Sequence, residues 1–207
     1  MTPKQIERIQ NKIAKIKRAL AADKRLWGCY DDSRGLRYLP PALFLKLQDY
    51  KGAMRYFNWF HKNFDDDSGY PIFLLEWTIT LFKNGKLKEA EKKALQTFFS
   101  NTYLIDKFLG KELLNLNISE HSNWENASLV ADLIYKHYDA ELQDFAAWLS
   151  EFVISQKFYQ YANEFIEIER RLKTEPVGII RSQLVSRRYS LLDDSKLALA
   201  EVNLKEN

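Results

Sequence analysis

The chain has 207 residues, enough for one large domain or a short helical array with a substantial core. Hydrophobic residues at 46% and aromatics at 14% exclude a disordered chain, and seven glycines with five prolines are too few for an all-β fold built on tight turns. A formal net charge of +3 does not by itself point to nucleic acid, and a single cysteine, Cys29, excludes an intramolecular disulfide.

Residues 3–22 predict the first helix. Ile6, Ile9, Ile13, Ile16 and Leu20 recur at spacings of three and four, a narrow apolar seam ringed by Lys4, Arg8, Lys12, Lys15, Lys17 and Arg18. Three destinations compete: docking on the rest of the chain, pairing with another chain, or lying on an anionic membrane. The seam is short for an independent coiled coil and carries no Trp or Phe for insertion, which favours docking. A loop follows through Gly28 and Gly35. Its polar cluster Asp31, Asp32, Arg34 and Arg37, beside Tyr38, has two readings: a recognition patch whose arginine forks hold a carboxylate or phosphate, or an internal network in which the arginines pair with the aspartates. The internal pairing is favoured. If any single region is functional, it is this one.

From residue 38 onward a helix-turn-helix pattern repeats around small residues. Ala53, Ala90, Ala127 and Ala162 are 37, 37 and 35 residues apart. Three positions before them stand Tyr50, Leu87, Trp124 and Tyr159; nine before, Phe44, Leu81, Ile118 and Val153; four after, Phe57, Ala94, Ala131 and Ile166. A small residue lets two antiparallel helices approach, and positions three before and four after it are expected to share its inner face. Four units follow. The first runs over about 38–65, with Pro40-Pro41 opening its first helix and Asp49 as N-cap of its second. Asp65-Asp66-Asp67-Ser68-Gly69 reads as a solvated loop before Pro71 starts unit two, 71–100, which turns at Asn84-Gly85. Unit three, about 102–138, is the least regular, with Ser122 and Glu125 as a capping box. Unit four, about 140–174, is capped by Asp139 and stopped by Pro176. Residues 175–207, with Ile179, Ile180, Leu184 and Val185, predict a C-terminal cap. The whole of 1–207 reads as one domain.

Trp77, Leu81, Gly85, Leu87 and Ala90 in YPIFLLEWTITLFKNGKLKEAEKKALQ resemble the tetratricopeptide repeat superfamily, and the stretch from Arg34-Gly35 into LFLKLQDYKGAMRYF resembles divergent bacterial members of that class. The likeness covers blocks of 38–174. It departs at Pro40 and Pro41, at the missing turn glycine of unit three, and at Asp65 and Thr102, where the family carries proline. The resemblance implies an all-α, right-handed superhelix of about four hairpins. It implies a concave face that binds peptides or protein segments, and no enzymatic activity.

Chemistry is sparse. His61, His121 and His137 stand apart, none in a nucleophile motif, and a histidine near an aspartate is usually a surface pair. The three consecutive aspartates lack the alternating spacing of a calcium loop. No catalytic residue, metal or cofactor is expected. The expected function is a scaffold for a protein or peptide partner, with Tyr38, Leu45, Leu75, Ile79 and Phe82 on the apolar wall beside Asp31, Asp32, Arg34 and Arg37. The alternative is a nucleic-acid-binding helical repeat using the basic first helix with Arg181, Arg187 and Arg188. With no continuous 18-residue apolar run and no signal-peptide core, the chain is expected to be cytoplasmic, away from membranes, and a monomer or weak homodimer.

Overall fold

Thr2 starts the first helix: its hydroxyl accepts the Gln5 amide at 3.3 Å while Gln5 Oε1 accepts the Thr2 amide at 2.8 Å. The structure, a computed structural model, describes residues 1–30, 34–118 and 124–203, with side chains through Leu191. All regular elements among these residues are helical, and the chain forms two compact units, 1–69 and 70–207.

In the first unit, helix α1 (Pro3–Trp27) runs five residues past its expected end, because Ala21 to Trp27 contains no breaker before Gly28, which closes it at φ 74°. Its seam docks progressively. Ile6 and Ile9 are half-buried, whereas Ile13, Ile16 and Leu20 are buried against α2 (Pro40–Lys46) and the 3₁₀ turn at Leu36–Tyr38. Helix α3 (Tyr50–Asn63) pairs with α2 as a hairpin, its N-terminus capped by Asp49, whose carboxylate accepts the Gly52 amide at 2.8 Å. Gly52 is required there. A Cβ would fall on the Asp49 carboxylate and 2.8 Å from the Phe44 ring. Ala53 is fully buried at the crossing, as the pattern requires.

In the second unit, α4 (Pro71–Lys83) and α5 (Leu87–Ser100) form the longest paired contact, turning through Gly85 at φ 73°. Thr78 and Thr97 meet across it at 3.2 Å, and Ala90 is fully buried. Helices α7 (Gln143–Val153) and α8 (Gln156–Thr174) make a further hairpin, with Ala162 buried and the Ser155 hydroxyl accepting the Phe158 amide. Helix α9 (Ile179–Asn203) lies on α5 and α8. Of the four apolar residues expected in the cap, Leu184 is buried and Val185 half-buried while Ile179 and Ile180 are exposed; Leu191 adds a buried contact further on.

The third repeat does not form. Helix α6 (Tyr103–Leu109) stops at Gly110, and 111–118 is irregular. Ala127 is exposed at the start of a 3₁₀ turn instead of sitting at a helix crossing, and Ala131 is exposed too. Ser122 lies outside the described residues. Glu125 caps a different helix: its carboxylate accepts the Thr102 amide at 3.0 Å and the Thr102 hydroxyl at 2.6 Å, at the start of α6. Asp139 likewise accepts the Lys136 amide and does not cap a helix with its side chain. The column three before each alanine also fails. Tyr50 and Leu87 are the first residues of α3 and α5, and Leu87, Trp124 and Tyr159 are 46%, 44% and 66% exposed. No helix among the described residues is long and apolar enough to cross a membrane.

Candidate functional site

Lys17 and Ala21 lie one turn apart on α1, and Arg55 and Trp59 one turn apart on α3, so each pair shares a helix face. Gly28 reverses the chain after α1 and brings Tyr30 beside Trp59. These side chains, with Tyr56, line a cavity of about 230 Å³ within the first unit. The floor is aromatic. Tyr30 meets Trp59 edge-on at 5.3 Å between ring centres, Tyr56 lies 5.1 Å from Trp59, and Phe64 backs both Tyr30 and Trp59. Tyr56 is buried and its hydroxyl donates to the Arg37 carbonyl at 2.7 Å, which fixes the ring.

The rim is cationic. Lys17 Nζ lies 5.6 Å from the Phe44 ring centre and 5.9 Å from that of Tyr56, within cation–π range. Lys24 Nζ sits 4.5 Å over Tyr30 and donates to Asn63 Oδ1 at 3.3 Å, tying the end of α1 to the end of α3. Lys17 and Arg55 are exposed and have no acidic partner among the described residues. An aromatic concavity with cations at its edge has the shape and charge to accept an apolar group that carries or adjoins negative charge.

The residues expected to form the site are distributed otherwise. Asp31 and Asp32 lie outside the described residues. Arg34 is exposed, 3.7 Å from Asp23 Oδ2 on α1. Arg37 Nε donates to Asp67 Oδ2 at 2.8 Å, the Tyr38 hydroxyl donates to the same oxygen at 2.6 Å, and the guanidinium lies over Tyr38 and Phe64. Burial, then the bond to Asp67, pushes the Tyr38 hydroxyl up to about 12, so it remains a donor through the physiological range. Asp67 Oδ1 accepts the Gly69 amide at 2.8 Å. The loop expected to be merely solvated therefore supplies a half-buried anchor. The pairing joins residues thirty apart, which no local pattern exposes. Arg37 and Tyr38 thus hold the fold of the first unit.

Leu45, Leu75 and Ile79 are core residues, at 6%, 1% and 0% exposure, and form no accessible wall. Phe82 is half-buried, with Phe145 and Trp148 over it at 5.5 and 5.1 Å. The reason was present in PIFLLEWTITL: a helix apolar on every side is a core helix, and every residue from Phe73 to Leu81 is buried. Among the buried residues is Glu76, whose Oε1 accepts the Tyr135 hydroxyl at 2.7 Å while Oε2 has no partner. Burial pushes its carboxyl up to about 8 against the opposing effect of that bond.

Two histidines can be placed. His61 is on the exposed face of α3, and His137 is half-buried with its imidazole where a Cβ on Gly110 would stand 2.6 Å away. His121 lies outside the described residues. The tail arginines are engaged: Arg181 donates to the Leu172 and Glu175 carbonyls, Arg187 to Glu164, and Arg188 to Glu169. Ala21, Arg55 and Trp59 escaped sequence reasoning, which placed Lys17 only in the basic ring of the first helix. The available signal was Arg55 and Trp59 one turn apart, off the buried stripe of Ala53, Phe57 and Phe60. No family model matches the chain, and no match is found among curated proteins or solved structures.

Proposed function

We propose that the chain is a divergent tetratricopeptide-like helical protein that binds a segment of another protein and catalyses no reaction itself. Support for the class comes from the hairpins α2–α3, α4–α5 and α7–α8, each with a buried alanine on its second helix. Support for binding rests on one observation, the aromatic cleft of the first unit with Lys17 and Arg55 at its rim and no acidic partner for them among the described residues. Elsewhere in that unit Arg37 is matched with an acid, so unmatched cations beside a concave aromatic floor mark a surface left for a partner. The concave-wall version of this function does not carry over, because Leu45, Leu75 and Ile79 are buried.

The test is display of a random peptide library on the immobilised full chain, in parallel with an Ala21→Leu variant. Ala21 is exposed on α1, so leucine there preserves the helix while filling the cavity. Enrichment of sequences that no longer bind the variant is the expected result. Enrichment indifferent to Ala21→Leu would remove the cleft from the function.

A further inference from the structure

The cleft has a polarity along its depth. Tyr56 forms its most buried wall at 1% exposure, Tyr30 and Trp59 are half-buried, and Lys17 and Arg55 are exposed. A ligand that matches this order places an apolar group deep and negative charge at the mouth. A volume of about 230 Å³ lies below the roughly 300–1,000 Å³ of pockets for drug-sized ligands. It admits one side chain, not a helix. From this geometry we infer that the cleft takes a single aromatic or branched apolar residue of a partner chain, flanked in that chain by aspartate or glutamate. This inference rests on reading the cleft as a protein-binding site, and adds the partner's chemistry.

A single-stranded nucleic acid also combines flat apolar groups with negative charge, but it needs open ring faces for its bases. Part of that ring surface is already engaged. The Lys24 ammonium covers Tyr30, the Lys17 ammonium covers Tyr56, and Trp59 is met edge-on by Tyr30 and at a tilt by Tyr56. A side chain packing against ring edges, with carboxylates beside Lys17 and Arg55, uses what remains. Arg55 presents a planar fork suited to a carboxylate, and Lys17 a compact charge held by the rings beneath it.

Blocked nonapeptides with one central phenylalanine flanked by glutamates, glutamines or lysines test this by fluorescence anisotropy on the full chain, with oligo-dT as a fourth probe. The glutamate peptide should bind at least about tenfold tighter than the glutamine peptide at low salt, and the gap should narrow as salt rises. Lys17→Gln with Arg55→Gln should bring the two peptides level; both positions are exposed, so the fold is kept. Ala21→Leu should abolish both. Equal affinity for glutamate and glutamine peptides, lost in Ala21→Leu, would overturn the acidic flank but leave the cleft as a partner site. Binding that survives Ala21→Leu, or no binding by any peptide, would overturn both. Oligo-dT displacing the glutamate peptide would overturn the choice of a protein partner.

Discussion

In the second unit, Lys83, Lys157, Arg187 and Arg188 each reach a carboxylate on another helix: Asp144 at 2.5 Å, Glu91 at 2.6 Å, Glu164 at 2.6 Å and Glu169 at 3.3 Å. In the first, Arg37 and Arg34 find Asp67 and Asp23, but Lys17 and Arg55 find aromatic surroundings and, among the described residues, no acid. Both units have the same kind of sequence, rich in lysine, arginine and aromatics. They differ in what their cations meet. Matched cations fix how helices lie, and unmatched ones beside a cavity leave an incomplete interface. Exposed pairs add little stability, so the contrast concerns arrangement more than energy, except where a charge is buried.

The largest test of that contrast falls on Glu76, a buried acid of the second unit with no cation in contact among the described residues. Its folded carboxyl titrates near 8, above the unfolded value of 4.5. The folded state therefore holds the proton more tightly. Stability from this source is complete below pH 4.5 and is lost as pH rises toward about 8, each unit within the window removing at most about 1.4 kcal/mol. The urea midpoint should fall between pH 5 and pH 8.5 in the native chain and change far less in Glu76→Gln. A native profile as flat as the variant's would show that Glu76 is not held neutral.

Next in size is the buried pair on α8 and α9. Glu169 is fully buried and Arg188 half-buried. Removing the guanidinium takes away a compensating charge from a fully buried carboxylate, so Arg188→Ala should cost about 3 kcal/mol by chemical denaturation. A cost under about 0.5 kcal/mol would place this pair with the exposed ones. Smaller is the effect of Gly52→Ala in the first unit. Alanine ordinarily stabilises a helix, yet here its methyl meets the Asp49 cap and the Phe44 ring, so a loss of about 2 kcal/mol in thermal or urea unfolding is expected. A gain would show that the α2–α3 crossing is loose.

These sites also show which features could be read from the sequence. Ala53, Ala90 and Ala162 mark real helix crossings because a small residue at a close approach leaves a local, periodic trace. Asp49, Gly85 and Pro71 announce caps and turns for the same reason. Ala127 misled because alanine is common, and nothing local revealed that 111–118 is irregular or that Asn101 and Thr102 hold Trp124 and Glu125. The cleft was illegible on other grounds. Its cations were counted among the basic residues, but whether a lysine has a partner depends on distant segments, as Arg37 and Asp67 show. The wall residues Leu75 and Ile79 were legible as core, since α4 is apolar all round.

The smallest expected effect concerns the unmatched cations themselves. If Arg55 has no partner and stands exposed, removing its charge breaks no hydrogen bond, strands no acid and opens no core. Arg55→Gln should then shift the unfolding free energy by less than about 0.5 kcal/mol. Lys157→Gln in the second unit breaks a 2.6 Å contact to Glu91 and should cost somewhat more, up to about 1 kcal/mol for a partly exposed pair. A double-mutant cycle with Glu91→Gln should recover that difference as coupling. No carboxylate in the first unit should couple to Arg55 in the same experiment. A measurable loss in Arg55→Gln would mean that the guanidinium packs for stability, through its stem against Tyr56 or Trp59. Its place at the rim would then follow from folding, and the charge at the mouth would no longer argue for a partner.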